Sequence, residues 1–137
     1  MSLTFTTKED VATALYNLFY SVSAFKHVDR QYVEPGNYEY PSVFINDVRE
    51  DRRIVLQDVV DVLWRVTLLL FVYDDSATLS TTLNTEIKRV KDTIKGDPTL
   101  GGLVVTSKIV NVDTDEGFLR PHGLALIALE LRYLTRS

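Results

Sequence analysis

Positions 60, 62, 64, 66, 68, 70 and 72 of this chain read Val, Val, Trp, Val, Leu, Leu and Val, and positions 61 to 73 between them read Asp, Leu, Arg, Thr, Leu, Phe and Tyr. A period of two predicts a β-strand. Its first half has one apolar face and its second half has two. The strand is therefore expected to leave water on one side early and then to be buried on both faces. At about 3.3 Å per residue, roughly 14 residues span about 46 Å, whereas a domain of this size has a radius of gyration of about 14 Å. Such a strand must curl, break at a bulge or project as an arm, and an arm suits a protein that joins other chains.

Residues 124–134 predict another strand. Ala125, Ile127, Leu129, Leu131 and Tyr133 form one continuous apolar face, while the opposite face runs Leu124, Leu126, Ala128 and then Glu130, Arg132 and Leu134. This strand starts two-sided and ends one-sided, the reverse of residues 60–73. Antiparallel neighbours would match their two-sided zones, so the two strands are expected to be adjacent or nearly so. Residues 103–113 predict a further strand after the Thr99-Leu100-Gly101-Gly102 turn. Upstream, Val43, Ile45 and Asp47 alternate with Phe44, Asn46 and Val48, a short strand after Pro41. Residues 26–36 predict an extended segment ending at the Pro35-Gly36 turn.

Two helices complete the pattern. Thr6 and Glu9 have capping-box spacing, and Val11, Leu15, Leu18 and Val22 follow at helical intervals. Tyr16, Phe19 and Tyr20 widen that apolar surface, either as core or as a face for a partner chain. Asp74, Asp75 and Ser76 offer N-caps to a second helix with Leu79, Leu83, Ile87, Val90 and Ile94 as its stripe. Lys88, Arg89, Lys91 and Lys95 crowd its C-terminal half, where the helix dipole favours cations. Gly96 fits the C′ position and Pro98 forbids continuation. The element order predicts an α+β fold: a mixed, mostly antiparallel sheet with two main helices packed on it and long β-hairpin arms. Residues 1–137 read as a single domain.

Composition narrows the function. The 137 residues carry 15 Lys+Arg against 19 Asp+Glu, a net charge of -4, with no cysteine. The lack of cysteine excludes a disulfide framework, a thiol nucleophile and a thiolate zinc site. The mild acidity argues against a nucleic-acid binder, which would show a basic excess. The N-terminus lacks the basic and apolar regions of a signal peptide. The apolar run at residues 66–72 falls far short of the ~20 residues of a membrane helix, so no membrane partner is expected.

No residue pattern points to catalysis. His27 and His122 are the only histidines, with no G-x-S-x-G elbow and no HExxH pair. Asp113-x-Asp115-x-Gly117 faintly resembles a calcium loop, but Phe118 and Leu124 stand where such a loop needs Gly and Glu. It reads as an acidic turn. Gly101-Gly102 lacks the Lys-Ser/Thr of a phosphate loop. Asp58, Asp61 and Glu130 are carboxylates with no sign of convergence. No catalytic, cofactor or metal residue is expected, although a small enzyme using His27 or His122 with a nearby carboxylate stays open, as does a monomeric adaptor using Tyr16, Phe19 and Tyr20.

The long apolar strand, the amphipathic helix, Asp97-Pro98-Thr99-Leu100-Gly101-Gly102-Leu103-Val104, the run Val110-Asn111-Val112-Asp113-Thr114-Asp115, the last strand and Pro41-Ser42-Val43-Phe44-Ile45 together resemble the tail terminator (tail-to-head joining, minor tail protein) family of long-tailed bacteriophages. The resemblance covers about residues 8–134. It implies a non-enzymatic virion protein, assembled in the host cytoplasm, that forms a homo-oligomeric ring, typically of six, at the head-proximal end of the tail. The ring caps the tail tube, stops its polymerisation and meets the head connector, while DNA passes through the lumen without specific binding. No cofactor is implied. Another neck, tail-completion or head–tail adaptor protein is the alternative. Charge density beside long strands marks Arg49, Glu50, Asp51, Arg52, Arg53, Asp58 and Asp61, and the loop residues Asp115, Glu116, Phe118 and Arg120, as the expected contacts between subunits or with tube and connector.

Overall fold

The computed structural model describes residues 5–30 and 39–136. Its elements are α1 (Lys8–Tyr20), β1 (His27–Asp29), β2 (Ser42–Ile54), β3 (Val59–Tyr73), α2 (Leu79–Gly96), β4 (Thr106–Thr114) and β5 (His122–Arg136). The fold is α+β. One mixed sheet has the order β1-β2-β3-β5-β4, antiparallel except for the β1–β2 pair.

The alternation at residues 60–72 sets the core. Val60, Val62, Trp64, Val66, Leu68, Leu70 and Val72 are all buried on the face that the helices cover. The adjacent strand supplies Ala125, Ile127, Leu129, Leu131 and Tyr133, none more than 1% exposed. The two strands are antiparallel neighbours, as their patterns require, and pair without interruption from Val59↔Arg136 to Tyr73↔His122. Leu68 lies opposite Ile127, and Leu69 opposite Leu126, so the two-sided zones coincide. From α1, Val11, Leu15 and Phe19 enter this core, and from α2 come Leu79, Leu83, Ile87, Val90 and Ile94.

Burial on both faces does not hold throughout that zone. Both helices pack on one face, so the second face carries only its own ladder neighbours. Phe44 and Phe71 are buried there, edge to face at 5.9 Å. Leu69 and Leu124 are half-buried, and Leu126 is exposed.

The β3 strand does not break, although it is 15 residues long. The irregularity sits on its neighbour. The predicted short strand after Pro41 extends to Ile54, and the β2–β3 register shifts between Asp47 and Arg49. Val48 is the extra residue of this bulge, and it flips the phase of the strand. Before it, Val43 and Ile45 face the helices. After it, Glu50, Arg52 and Ile54 lie opposite Trp64, Val62 and Val60, and Arg49, Asp51 and Arg53 move to the open face. A phase change reads as a strand end in a sequence, which is why the charged stretch looks like a separate hairpin.

The helix termini also differ from expectation. Thr7, not Thr6, caps α1: its hydroxyl accepts from the Asp10 amide at 3.1 Å. Thr6 is buried, donates its hydroxyl to the Leu103 carbonyl, and donates its amide to the Leu134 carbonyl at 2.9 Å. Glu9 instead accepts two bonds from Arg30, at 2.6 and 3.0 Å. That pair holds Glu9 below the usual carboxylate range.

The second helix begins at Leu79 rather than within residues 74–76, and Asp74 organises its approach. Its carboxylate accepts from the Ser76 amide and hydroxyl and from the hydroxyls of Thr78 and Thr82. Those bonds hold its acid well below the ordinary range. Gly96 is the last helical residue rather than a left-handed C′. The left-handed positions come later, at Leu100, Gly101 and Gly102, with φ of 50°, 69° and 92°. Glycine tolerates them without a Cβ clash. Of the predicted extended segment, residues 27–29 form β1. Residues 31–38, with the Pro35-Gly36 turn, lie outside the described residues.

Candidate interaction surfaces

The charged half of the β2–β3 hairpin is an arm that stays within the sheet rather than projecting as expected, because β5 pairs with β3 along its whole length, and its open face is a lattice of ion pairs. Asp61 is its centre. Arg132 on β5 donates from Nε to Asp61 Oδ1 at 3.0 Å, and Arg53 on β2 donates to Oδ2 at 3.3 Å. The Arg132 hydrogen bonds hold the Asp61 carboxyl below its ordinary value against the opposing effect of burial. Arg65 and Glu130 pair at 3.1 Å, and Arg136 and Asp58 at 2.7 Å. Along β2, Arg49 bonds Asp51 at 2.8 Å, and Arg52 lies 3.9 Å from Glu50. The structure therefore brings Arg49, Glu50, Asp51, Arg52, Arg53, Asp58 and Asp61 onto one hairpin. Asp61 is buried and engaged within the chain, whereas Arg49, Arg52, Arg53 and Asp58 are exposed. Exposed pairs of this kind contribute about 0–1 kcal/mol each, so they set charge pattern more than stability.

On the helix-side face, Trp64 Nε1 donates to Asp47 Oδ1 at 2.8 Å and Lys8 Nζ meets Oδ2 at 2.6 Å. Burial pushes the Asp47 carboxyl up, but these two hydrogen bonds outweigh it and leave the group below its usual range. The contact ties the start of α1 to the β2 bulge.

Beyond the ion pairs, the arm ends in bare aliphatics. Ile54, Val55 and Leu56 are consecutive and 74, 50 and 63% exposed. At the opposite end of the sheet, the β4–β5 loop presents Phe118, 88% exposed, with Leu119 beside it. The intervening β3 is about 46 Å long by strand rise. Asp115 builds this second loop: its carboxylate accepts from the Leu119 and Leu124 amides at 3.0 and 3.3 Å, and its carbonyl from the Phe118 amide. Glu116 and Gly117 take left-handed φ of 54° and 87°. Glu116 and Arg120 line a cleft of about 230 Å³ with Leu79, Asn84 and Gly123.

No protein-family model matches the chain, and no curated protein matches it.

The remaining expected chemistry is dispersed. His27 packs on Phe44 at 5.5 Å with Asp29 3.7 Å away, and His122 packs on Tyr73 and Tyr40 at the far end of the sheet. Among the described residues no group of three or more His, Asp or Glu is placed to hold a metal ion. No described helix is long and apolar enough to cross a membrane. The aromatic face of α1 divides: Phe19 is core, Tyr16 is half-buried, and Tyr20 is exposed and stacked on Tyr16 at 5.6 Å.

Two surfaces have weak sequence signals. The aliphatic tip is visible only as three apolar residues inside a charged run. A groove of about 500 Å³ between α2 and β4 brings Lys91 and Lys95 beside Ile94, Ile109 and Val112. Its residues are distant in sequence, so only the sheet order assembles it.

Proposed function

We propose that this chain is a subunit of a ring that caps a bacteriophage tail tube, ends its polymerisation and joins it to the head connector. The observation that carries the reading is the bipolar sheet. One continuous pair of long strands bears an exposed aliphatic tip, Ile54-Val55-Leu56, at one end and an exposed aromatic, Phe118, at the other. Contiguous exposed apolar side chains mark surfaces that other chains cover. A subunit with different surfaces at its two ends makes head-to-tail contacts, and such contacts close into rings when the rotation between copies permits. The element order that resembles the tail terminator family supports the same role, as does the mild acidity of the chain, which disfavours retention of DNA by its phosphates.

In this reading the protein is non-enzymatic, sits in the virion at the head-proximal end of the tail, and has the tube protein, the connector and its own copies as partners. The test is direct. The purified chain is examined alone and with tail tubes by light scattering and negative-stain microscopy. Rings, and tubes of fixed length carrying a terminal ring, are expected. A chain that stays monomeric both free and with tubes overturns the reading. The exposed Tyr20 on Tyr16 favours one alternative, a monomeric neck or head–tail adaptor that docks through α1. Tyr16→Ser with Tyr20→Ser separates the two: loss of partner binding from a folded monomer supports the adaptor.

A further inference from the structure

We propose that the Phe118 loop of one copy docks into the lysine-lined groove between α2 and β4 of a second copy. The inference rests on the ring-forming reading and names the contact that would build the ring. Three features of the molecule support it.

The first is the loop itself. Phe118 is the most exposed large hydrophobic side chain among the described residues, and the loop backbone around it is fixed by the Asp115 carboxylate and by the Phe118 amide bonded to the Asp115 carbonyl at 3.1 Å. A loop backbone already ordered in this way lowers the ordering cost of docking, and exposed aromatics are common anchors of interfaces.

The second feature is the groove. Its floor is apolar, with Ile94, Ile109 and Val112, and Lys91 and Lys95 stand on its rim, whereas Lys108 lies opposite Glu130 on the other face of the sheet. The ion pairs along α2 are Lys88–Asp92 and Arg89–Glu86, and Lys91 and Lys95 stand outside them. A positive rim on a chain of net charge -4 is a local excess.

The third feature is complementarity. Asp113, Asp115 and Glu116 all precede Phe118, with Arg120 after it offsetting one of the three charges. The Asp115 carboxylate is engaged by the Leu119 and Leu124 amides, so Glu116 is the acid nearest Phe118 that is left to meet a lysine. An aromatic beside an acid matches an apolar floor beside lysines. The loop cannot fill the groove of its own chain. It begins at Asp115, three residues beyond Val112 of the groove, and β4 holds the intervening residues extended. The occupant is therefore another copy, and because loop and groove are different surfaces the contact propagates head to tail.

The chain has no cysteine, which permits a clean crosslinking test. Under mild oxidation, Glu116→Cys combined with Lys95→Cys is expected to give a ladder of covalent oligomers. Glu116→Cys combined with Arg52→Cys is not. Independently, Phe118→Ser and the pair Lys91→Glu/Lys95→Glu are each expected to raise the concentration for half-assembly at least about tenfold by light scattering, with unchanged circular dichroism. Adding Asp113→Lys and Glu116→Lys to the lysine-reversed chain is expected to restore assembly. Wild-type rings that persist in both folded variants, with no ladder, overturn this contact and leave the ring reading standing. A wild-type chain that is monomeric alone and on tubes overturns both.

Discussion

Arg132 on β5 and Asp61 on β3 meet diagonally across the open face of the sheet, Nε to Oδ1 at 3.0 Å, although 71 residues separate them in the chain. Asp61 lies opposite Leu134, and Arg132 opposite Leu63, so the pair bridges neighbouring rungs. With Arg53 as a third member, the contact ties three strands together one rung from the tip of the β2–β3 hairpin.

Asp61→Asn removes the charge and keeps the shape. Loss of about 1–2 kcal/mol is expected from hydrogen bonds to an ionised, mostly buried acid. The folded acid titrates below its unfolded value. Its contribution is therefore complete above the ordinary aspartate range and is lost as pH falls through that range toward the folded value. Urea unfolding at pH 7 and pH 3 should show wild type losing more stability than Asp61→Asn between the two. Equal losses would remove this role.

Tyr133 contributes to stability at alkaline pH. Burial, reinforced by the nearby Glu50 charge, pushes its hydroxyl from 10.0 up to about 12. The unfolded phenol ionises first, so stability present below about pH 10 declines as pH rises toward 12. Tyr133→Phe should flatten that decline in chemical unfolding curves at pH 9 and pH 11. Parallel declines in both proteins would contradict it.

Gly123 leaves no room for a methyl group. A Cβ there would sit 2.9 Å from Val72 Cγ2 and 3.3 Å from Leu79 Cδ1. Val72 is buried and stiff at χ1, so Gly123→Ala should cost about 1–3 kcal/mol through overpacking. Thermal unfolding measures it, and a variant as stable as wild type would show that α2 can move away.

The arm tip separates assembly from folding. Replacing Ile54, Val55 and Leu56 together by Ser should change monomer stability by less than about 0.5 kcal/mol per site, because all three are exposed. On the ring reading proposed above, assembly on tail tubes should fall by an order of magnitude or more, read by microscopy of capped tubes. A triple variant that caps tubes as well as wild type would assign the tip no part in assembly.

Long-period regularity made the sheet legible. The apolar faces of β3 and β5 are continuous, and their opposite one-sided and two-sided halves point to antiparallel strands adjacent or nearly so, as the structure has them. The stripe of α2 is equally plain. What failed was local. The bulge at Val48 reverses the phase of β2, and a reversal looks like an end. Thr6 and Thr7 offer nearly the same capping spacing, and only the distant Leu103 carbonyl decides which hydroxyl caps the helix.

The candidate surfaces divided in the same way. The arm was legible because its charges are consecutive. The loop was legible because Asp115 and Gly117 mark a turn. The groove was not, because Lys91 and Lys95 meet Ile109 and Val112 only when β5 enters between β3 and β4. No window of sequence contains that insertion.

The same insertion fixes an order of events during synthesis. As the chain emerges, β3 can pair with β2 at once, but β4 has no strand partner until β5 follows it. Until then β3 presents an unprotected apolar edge of 15 residues, the kind of edge that templates aggregation. Nascent chains stalled after β4 should bind chaperones far more strongly than those that include β5, and the safety of the protein during synthesis depends on how quickly that strand arrives.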